Sequence, residues 1–223
     1  MVGGWLGGEK VNNFFGPEVT HNRLSVHQRN MARLVDATYK KKRPPTMDRY
    51  TRVEGYDTNY GALWKGPNDY VFAVRGTKFS HLKDIFADLK IMAGSTSQSD
   101  EAFINSYKRF QTEHPHAKLS ISAHSLGTEI AYSAIKSDEQ PYEGLQSIYL
   151  WNPASSPAQK KSHIREIITN PKVQLFLNKG DVVSNYFSQN LKPDEVRKVT
   201  YGRFSRAPQN AHGLAQWTEV ESY

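Results

Sequence analysis

Apolar residues along the 223-residue chain follow two alternating patterns. Short runs that are continuously apolar or alternate with period two recur at 70–74, 118–122, 147–151, 173–177 and 196–201, and predict strands. Between them apolar residues return every three or four positions, which predicts helices near 79–92, 100–112, 126–135, 158–168 and 211–220. Strands alternating with helices, several of the strands wholly apolar, imply an α/β layered fold with a mostly parallel central sheet flanked by helices.

The amino-terminal part reads differently. Residues 1–20 are glycine-rich and irregular and are expected to form an N-terminal arm, leaving a single α/β domain over 21–223. Ser25 with Gln28 three residues on has the form of a capping box, opening a helix with His27, Met31, Leu34, Val35 and Thr38 on one face and an end near Lys41. Residues 44–53 read as a connecting loop. The β-prone runs 56–64 and 70–75, separated by Lys65-Gly66-Pro67-Asn68-Asp69, predict a hairpin.

The turn between the 118–122 strand and the following helix reads Ala123-His124-Ser125-Leu126-Gly127. A serine on a tight strand-to-helix turn, with small residues two before and two after it, is a nucleophile elbow. Such a turn lifts the Ser125 hydroxyl clear of the sheet and aims the first free N–H groups of the helix into the same space, where an oxyanion could form. A serine hydroxyl needs a base, and the base a carboxylate that orients it. Downstream lie only His163 and His212. His163 falls inside a helix pattern, and the one aspartate before it, Asp138, ends the elbow helix at the far end from Ser125. His212 sits in a polar loop before the last helix, from which it could reach back over the sheet. Asp181 directly follows a strand and is preferred as the acid to Asp194. Arg75-Gly76-Thr77 closes a buried strand, so the Leu126 N–H and Thr77 are the expected oxyanion donors. His124 is expected to pack or hydrogen-bond locally, because adjacent residues at an elbow point apart.

Composition narrows the partners. Cysteine is absent, which removes disulfides and thiolate metal sites, and no metal or cofactor is expected. No apolar stretch approaches a bilayer span, and the first residues lack the features of a signal peptide. An intracellular location, with peripheral membrane contact allowed, is the expectation. Net charge is +7. That balance is compatible with contact at an anionic membrane surface, but without a recognisable motif no nucleic-acid partner is expected. The densest basic run, Lys40-Lys41-Lys42-Arg43 before Pro44-Pro45, reads either as a solvated helix end or as a phosphate-binding patch, the former being the simpler.

Several segments together resemble the class 3 lipases, the fungal-lipase-like branch of the α/β hydrolases. They are Ala73-Val74-Arg75-Gly76-Thr77 followed by Asp84 and Asp88-Leu89, Ala102 to Tyr107, Ser122 to Gly127, Leu150-Trp151-Asn152-Pro153, Asn178 to Val183, and Ala211-His212-Gly213-Leu214. The resemblance implies an α/β-hydrolase fold and a serine ester hydrolase acting on acylglycerols, phospholipids or simpler esters. Ser125 would be nucleophile, Asp181 acid, His212 base, and Thr77 and Leu126 the oxyanion donors. Some members carry a helical lid after the oxyanion strand. The stripe Phe79, Leu82, Ile85, Phe86 and Leu89 occupies that place, and it reads equally as a lid or as an ordinary core-facing helix. The family's usual glycines are replaced by Ala123, Thr128 and Ala102, and Thr128 is expected to crowd the first helical turn. The alternative is a hydrolase-fold binding or structural protein whose chemistry is weak or lost.

Overall fold

The structure, a computed structural model, describes residues 24–76, 98–154, 161–178, 181, 184, 199–202 and 213–218. Within them the capping box forms as its residue types dictate. The Ser25 hydroxyl accepts the Gln28 N–H, and the Gln28 side chain accepts the Ser25 N–H at 2.9 Å, opening α1 (Val26–Tyr39).

Eight strands follow in spatial order identical to chain order: β1 (Thr46–Met47), β2 (Tyr50–Arg52), β3 (Gly61–Lys65), β4 (Tyr70–Val74), β5 (Leu119–His124), β6 (Leu145–Trp151), β7 (Val173–Asn178) and β8 (Val199–Gly202). The first four form an antiparallel meander, and from β4 onward every pairing is parallel. Among the described residues the parallel crossovers carry α2 (Gln98–Glu113), α3 (Gly127–Lys136) and α4 (Lys161–Thr169). A short α5 (Ala215–Thr218) comes last.

Because the strand order never reverses, successive crossovers stack on one face. Phe103, Tyr107 and Phe110 of α2, Ile130 and Ala134 of α3, and Ile167 of α4 share a core with Phe72, Ile121, Leu150 and Leu175. The opposite face is covered by α1 and by Leu214 and Trp217, packed on Val71, Ala73, Tyr149, Trp151 and Phe176. Strand residues thus alternate between two cores, which explains why apolar residues dominate both faces of these runs. The fold is a three-layer α/β/α sandwich, as the sequence pattern implies.

β5 is the exception on the α1 face, where it presents Ser120, Ser122 and His124. The Ser122 hydroxyl donates to the Met31 carbonyl at 2.9 Å and accepts the Trp151 indole N–H at 2.9 Å, so both buried polar groups are satisfied.

Two expectations need correction. The 44–53 stretch contains β1 and β2, and the predicted 56–64 strand begins only at Gly61. The preceding residues turn instead: the Thr58 N–H donates to the Gly61 carbonyl, and the Thr58 hydroxyl accepts the Gly61 N–H, both at 2.9 Å. The predicted arm over 1–20 and the 79–92 stripe with Phe79, Leu82, Ile85, Phe86 and Leu89 lie outside the described residues.

Candidate active site

Register brings four strand ends to one edge. Val74 pairs with Ala123 and Ala123 with Leu150, while His124 pairs with Trp151 and Trp151 with Phe176. The residues that follow β4, β5, β6 and β7 (Arg75, Ser125, Asn152 and, three positions on, Asp181) therefore lie at the carboxyl edge, where open α/β sheets bind ligands.

Ser125 is fully buried and adopts φ 55, a left-handed conformation uncommon for a residue with a Cβ. Its backbone is fixed from several sides. The Ser125 N–H donates to the Trp151 carbonyl at 3.1 Å, extending the β5–β6 ladder by one rung. The Ser125 carbonyl accepts the N–H groups of Thr128 at 3.1 Å and Ala154 at 3.2 Å, and the Thr128 hydroxyl at 2.7 Å. Thr128 therefore braces the elbow through its hydroxyl.

Close approach forbids a side chain at Gly127 and leaves little room for one at Gly76. A Cβ on Gly127 would stand 2.7 Å from the carbonyl carbon and oxygen of Arg75. A Cβ on Gly76 would meet Ser125 Cβ at 3.0 Å and the Leu126 nitrogen at 3.1 Å. The Arg75-Gly76 arm thus lies directly against the nucleophile turn. Leu126 is buried at the start of α3, and the N–H groups of a helix's first turn have no intrahelical acceptor.

Sequence reasoning missed what holds this arm. The Tyr39 hydroxyl, on the last residue of α1, accepts the Gly76 N–H at 2.8 Å and lies 2.7 Å from His124 Nδ1. Arg75 Nη1 donates to the Gly76 carbonyl at 2.9 Å, and its guanidinium lies over the rings of Tyr39 and Tyr60. Burial pushes the Tyr39 phenol well above its ordinary value, against the opposing Gly76 hydrogen bond and Arg75 charge. Tyr39 is a neutral hydrogen-bonding group at working pH. His124, buried and edge-on to the Tyr39 ring, is committed to this contact. The available signal for Tyr39 was a hydroxyl-bearing aromatic one helical turn beyond Val35 on the buried face.

Asp181 is fully buried three residues beyond β7, its N–H donating to the Asn178 carbonyl at 3.2 Å. Asn152 takes φ 43, a region asparagine tolerates better than most residues. Its side-chain oxygen accepts the Asn178 N–H at 2.9 Å. The side-chain amides of Asn152 and Asn178 both donate to the Gly213 carbonyl at 3.3 Å. Those two amides anchor the chain one residue after His212. His212 and Thr77 themselves lie outside the described residues. Ser125, Leu126, Gly127, Ala123, His124 and Asp181 all fall on the one sheet edge.

No group of three or more potential metal ligands occurs among the described residues, and none of their helices is long and apolar enough to cross a membrane.

Sheet order, one-sided crossovers and a serine elbow at the carboxyl edge define an α/β-hydrolase fold. No protein-family model and no curated protein matches the chain. Among solved structures, a triacylglycerol lipase from Penicillium expansum is similar at 17% identity over 86% of this chain and 84% of its own, with a TM-score of 0.49. Rhizomucor miehei lipase, solved as a propeptide complex, is similar at 17% identity over 70% of this chain, with a TM-score of 0.45. The alignment spans 61% of the Rhizomucor chain's length. Each is a likeness of fold.

Proposed function

We propose that the protein is a serine ester hydrolase acting on lipid esters, acylglycerols or phospholipids. The observation that carries this reading is the Ser125 backbone, held at φ 55 by bonds to Trp151, Thr128 and Ala154 with the Gly76 arm pressed against it. A strained non-glycine residue that its surroundings fix so fully is characteristic of a working site. In the proposed reaction His212 takes the Ser125 proton as Oγ attacks the ester carbonyl. Asp181 stabilises the imidazolium, and the N–H groups of Leu126 and Thr77 hold the oxyanion. The Gly76 N–H is already bonded to Tyr39, which supports assigning the second donor to Thr77. His212 then protonates the departing alcohol, and water, deprotonated by the same histidine, releases the acid from Ser125.

The lipid ester class follows from the resemblance of the ordered motifs to the class 3 lipases. A fluorophosphonate probe should label Ser125, and Ser125→Ala should abolish both labelling and hydrolysis of short p-nitrophenyl esters. Hydrolysis surviving that substitution overturns the reading. A rate jump at the micelle threshold assigns the lipid ester class, and its absence restricts the enzyme to soluble esters.

A further inference from the structure

The basic run begins at Lys40, the C-cap of α1, and continues past the helix end. The last turn of α1 carries no basic residue, and the chain leaves it in extended conformation at Lys40. Arg43 turns inward, donating to the carbonyls of Gly61 at 2.9 Å and Thr58 at 2.8 Å with its side chain only 13% exposed. Beside it opens a polar cleft of about 500 Å³, lined by Lys40, Lys41, Arg43, Arg52 and Arg75 together with Asp57. Five cations thus face one carboxylate, and Asp57 is already shared by Arg43 at 3.6 Å and Arg52 at 3.5 Å.

Two observations point to a ligand. Among the described residues Arg75 Nε is buried without a hydrogen-bond acceptor, a rare and costly state, and Arg52 Nε has only the Asp57 carboxylate, 3.5 Å away. Lys40 and Lys41, both exposed, form no ion pair among the described residues. Crowding is evident at Arg43, which burial pulls below its ordinary value, Asp57 opposing and the charges of Arg75 and Arg52 adding to the effect. The carboxyl end of α1 carries only about half a negative charge, too little to balance the cluster.

We propose that this cleft binds a phosphate group. Guanidinium donors match the oxygens of a phosphate, which also supplies more negative charge and more acceptors than a carboxylate. Arg75 joins the cleft to the elbow, since the same guanidinium holds the Gly76 carbonyl. The inference does not rest on the chemistry proposed for Ser125.

The phosphate could be a lipid headgroup or a soluble ion, and the test has an arm for each. The full chain is sedimented with phosphatidylcholine vesicles with and without phosphatidic acid, and titrated calorimetrically with inorganic phosphate. Lys40→Glu with Lys41→Glu should weaken binding about tenfold, as two reversed charges at an anionic site imply. Lys65→Glu with Lys108→Glu, exposed residues outside the cleft with the same change in net charge, should change it less than about twofold. The arm in which this contrast appears names the source. Equal loss in both variants, or no binding in either arm, overturns the proposal. Probe labelling of Ser125 is read separately, so failure here is distinguishable from failure of the hydrolase reading.

Discussion

Tyr39 holds Gly76: the phenol at the end of α1 accepts the backbone N–H of the arm that lies against Ser125, at 2.8 Å. Tyr39→Phe removes that acceptor and leaves a buried N–H without a partner. The expected cost is about 1–3 kcal/mol in urea unfolding. If the phenol positions the arm, kcat for a short ester falls while KM changes little, because the arm acts on the developing oxyanion. Unchanged kcat in a folded variant makes Tyr39 purely structural.

The two elbow glycines should separate stability from activity. Gly127→Ala places a methyl 2.7 Å from Arg75 backbone atoms, which side-chain rotation cannot relieve. The expected loss is about 1–3 kcal/mol, the range for overpacking a close contact. Gly76→Ala meets its neighbours at 3.0 Å and beyond, so a shift of a few tenths of an ångström accommodates it, and that shift moves the arm off the elbow. Stability should fall less than in Gly127→Ala, with kcat reduced on the order of tenfold to a hundredfold. Denaturation midpoints and steady-state rates on both variants decide it, and the reverse ranking removes the positioning argument.

Most of the frame was legible from pattern because it depends on local choices. Strands buried on both faces are apolar throughout, as in Tyr70–Val74, or nearly so, as in residues 173–177, and Ser25 with Gln28 announces its own helix start. Thr46–Met47 and Tyr50–Arg52 were not legible. Strands of two and three residues carry no measurable period and exist by pairing onto the sheet edge. The same division holds in the site. The small residues around Ser125 mark the elbow locally, whereas Tyr39 meets Gly76 and His124 only through tertiary packing, at separations of 37 and 85 residues. Likewise, nothing near Lys40 in sequence discloses that Arg52 and Arg75 converge on the same cleft.

A surface cluster behind the elbow helix makes stability depend on pH at both extremes. Glu166 on α4 accepts from Lys136 at 2.9 Å and from the Tyr132 hydroxyl at 3.1 Å, tying α4 to α3. The Lys136 hydrogen bond holds the Glu166 carboxyl below its ordinary range, and burial with the neighbouring Glu166 pushes the Tyr132 phenol up to about 12 from 10.0. A depressed carboxyl contributes stability above its unfolded value, and loses it as pH falls through the folded one. A raised phenol contributes fully below pH 10 and loses it between 10 and about 12, where only the unfolded chain ionises freely. Thermal midpoints should therefore drop in both windows. Glu166→Gln should flatten the acid limb, and Tyr132→Phe should make the alkaline limb shallower. Unchanged limbs in these variants place the titration elsewhere.

Asn152 and Asn178 converge on the Gly213 carbonyl with one side-chain amide each, immediately after the residue proposed as base. A carbonyl held by two donors from neighbouring strand ends ties Gly213, one residue beyond the proposed base, to the sheet edge. Asn178→Ala removes one donor but leaves the Asn178 N–H bonded to Asn152 Oδ1, so folding should survive. Asn152→Ala removes both the other donor and that acceptor, in a residue at φ 43, and should cost more stability. Loosening the loop lowers kcat in either variant, by about tenfold for a displacement well under an ångström. Labelling by the fluorophosphonate should slow in parallel, because acylation needs the same base. The alkaline and acid limbs of kcat/KM separate positioning from general destabilisation: a displaced imidazole changes the apparent pKa of the base, whereas simple loss of folded protein scales the profile without moving it. A profile that only scales assigns the two amides to stability alone.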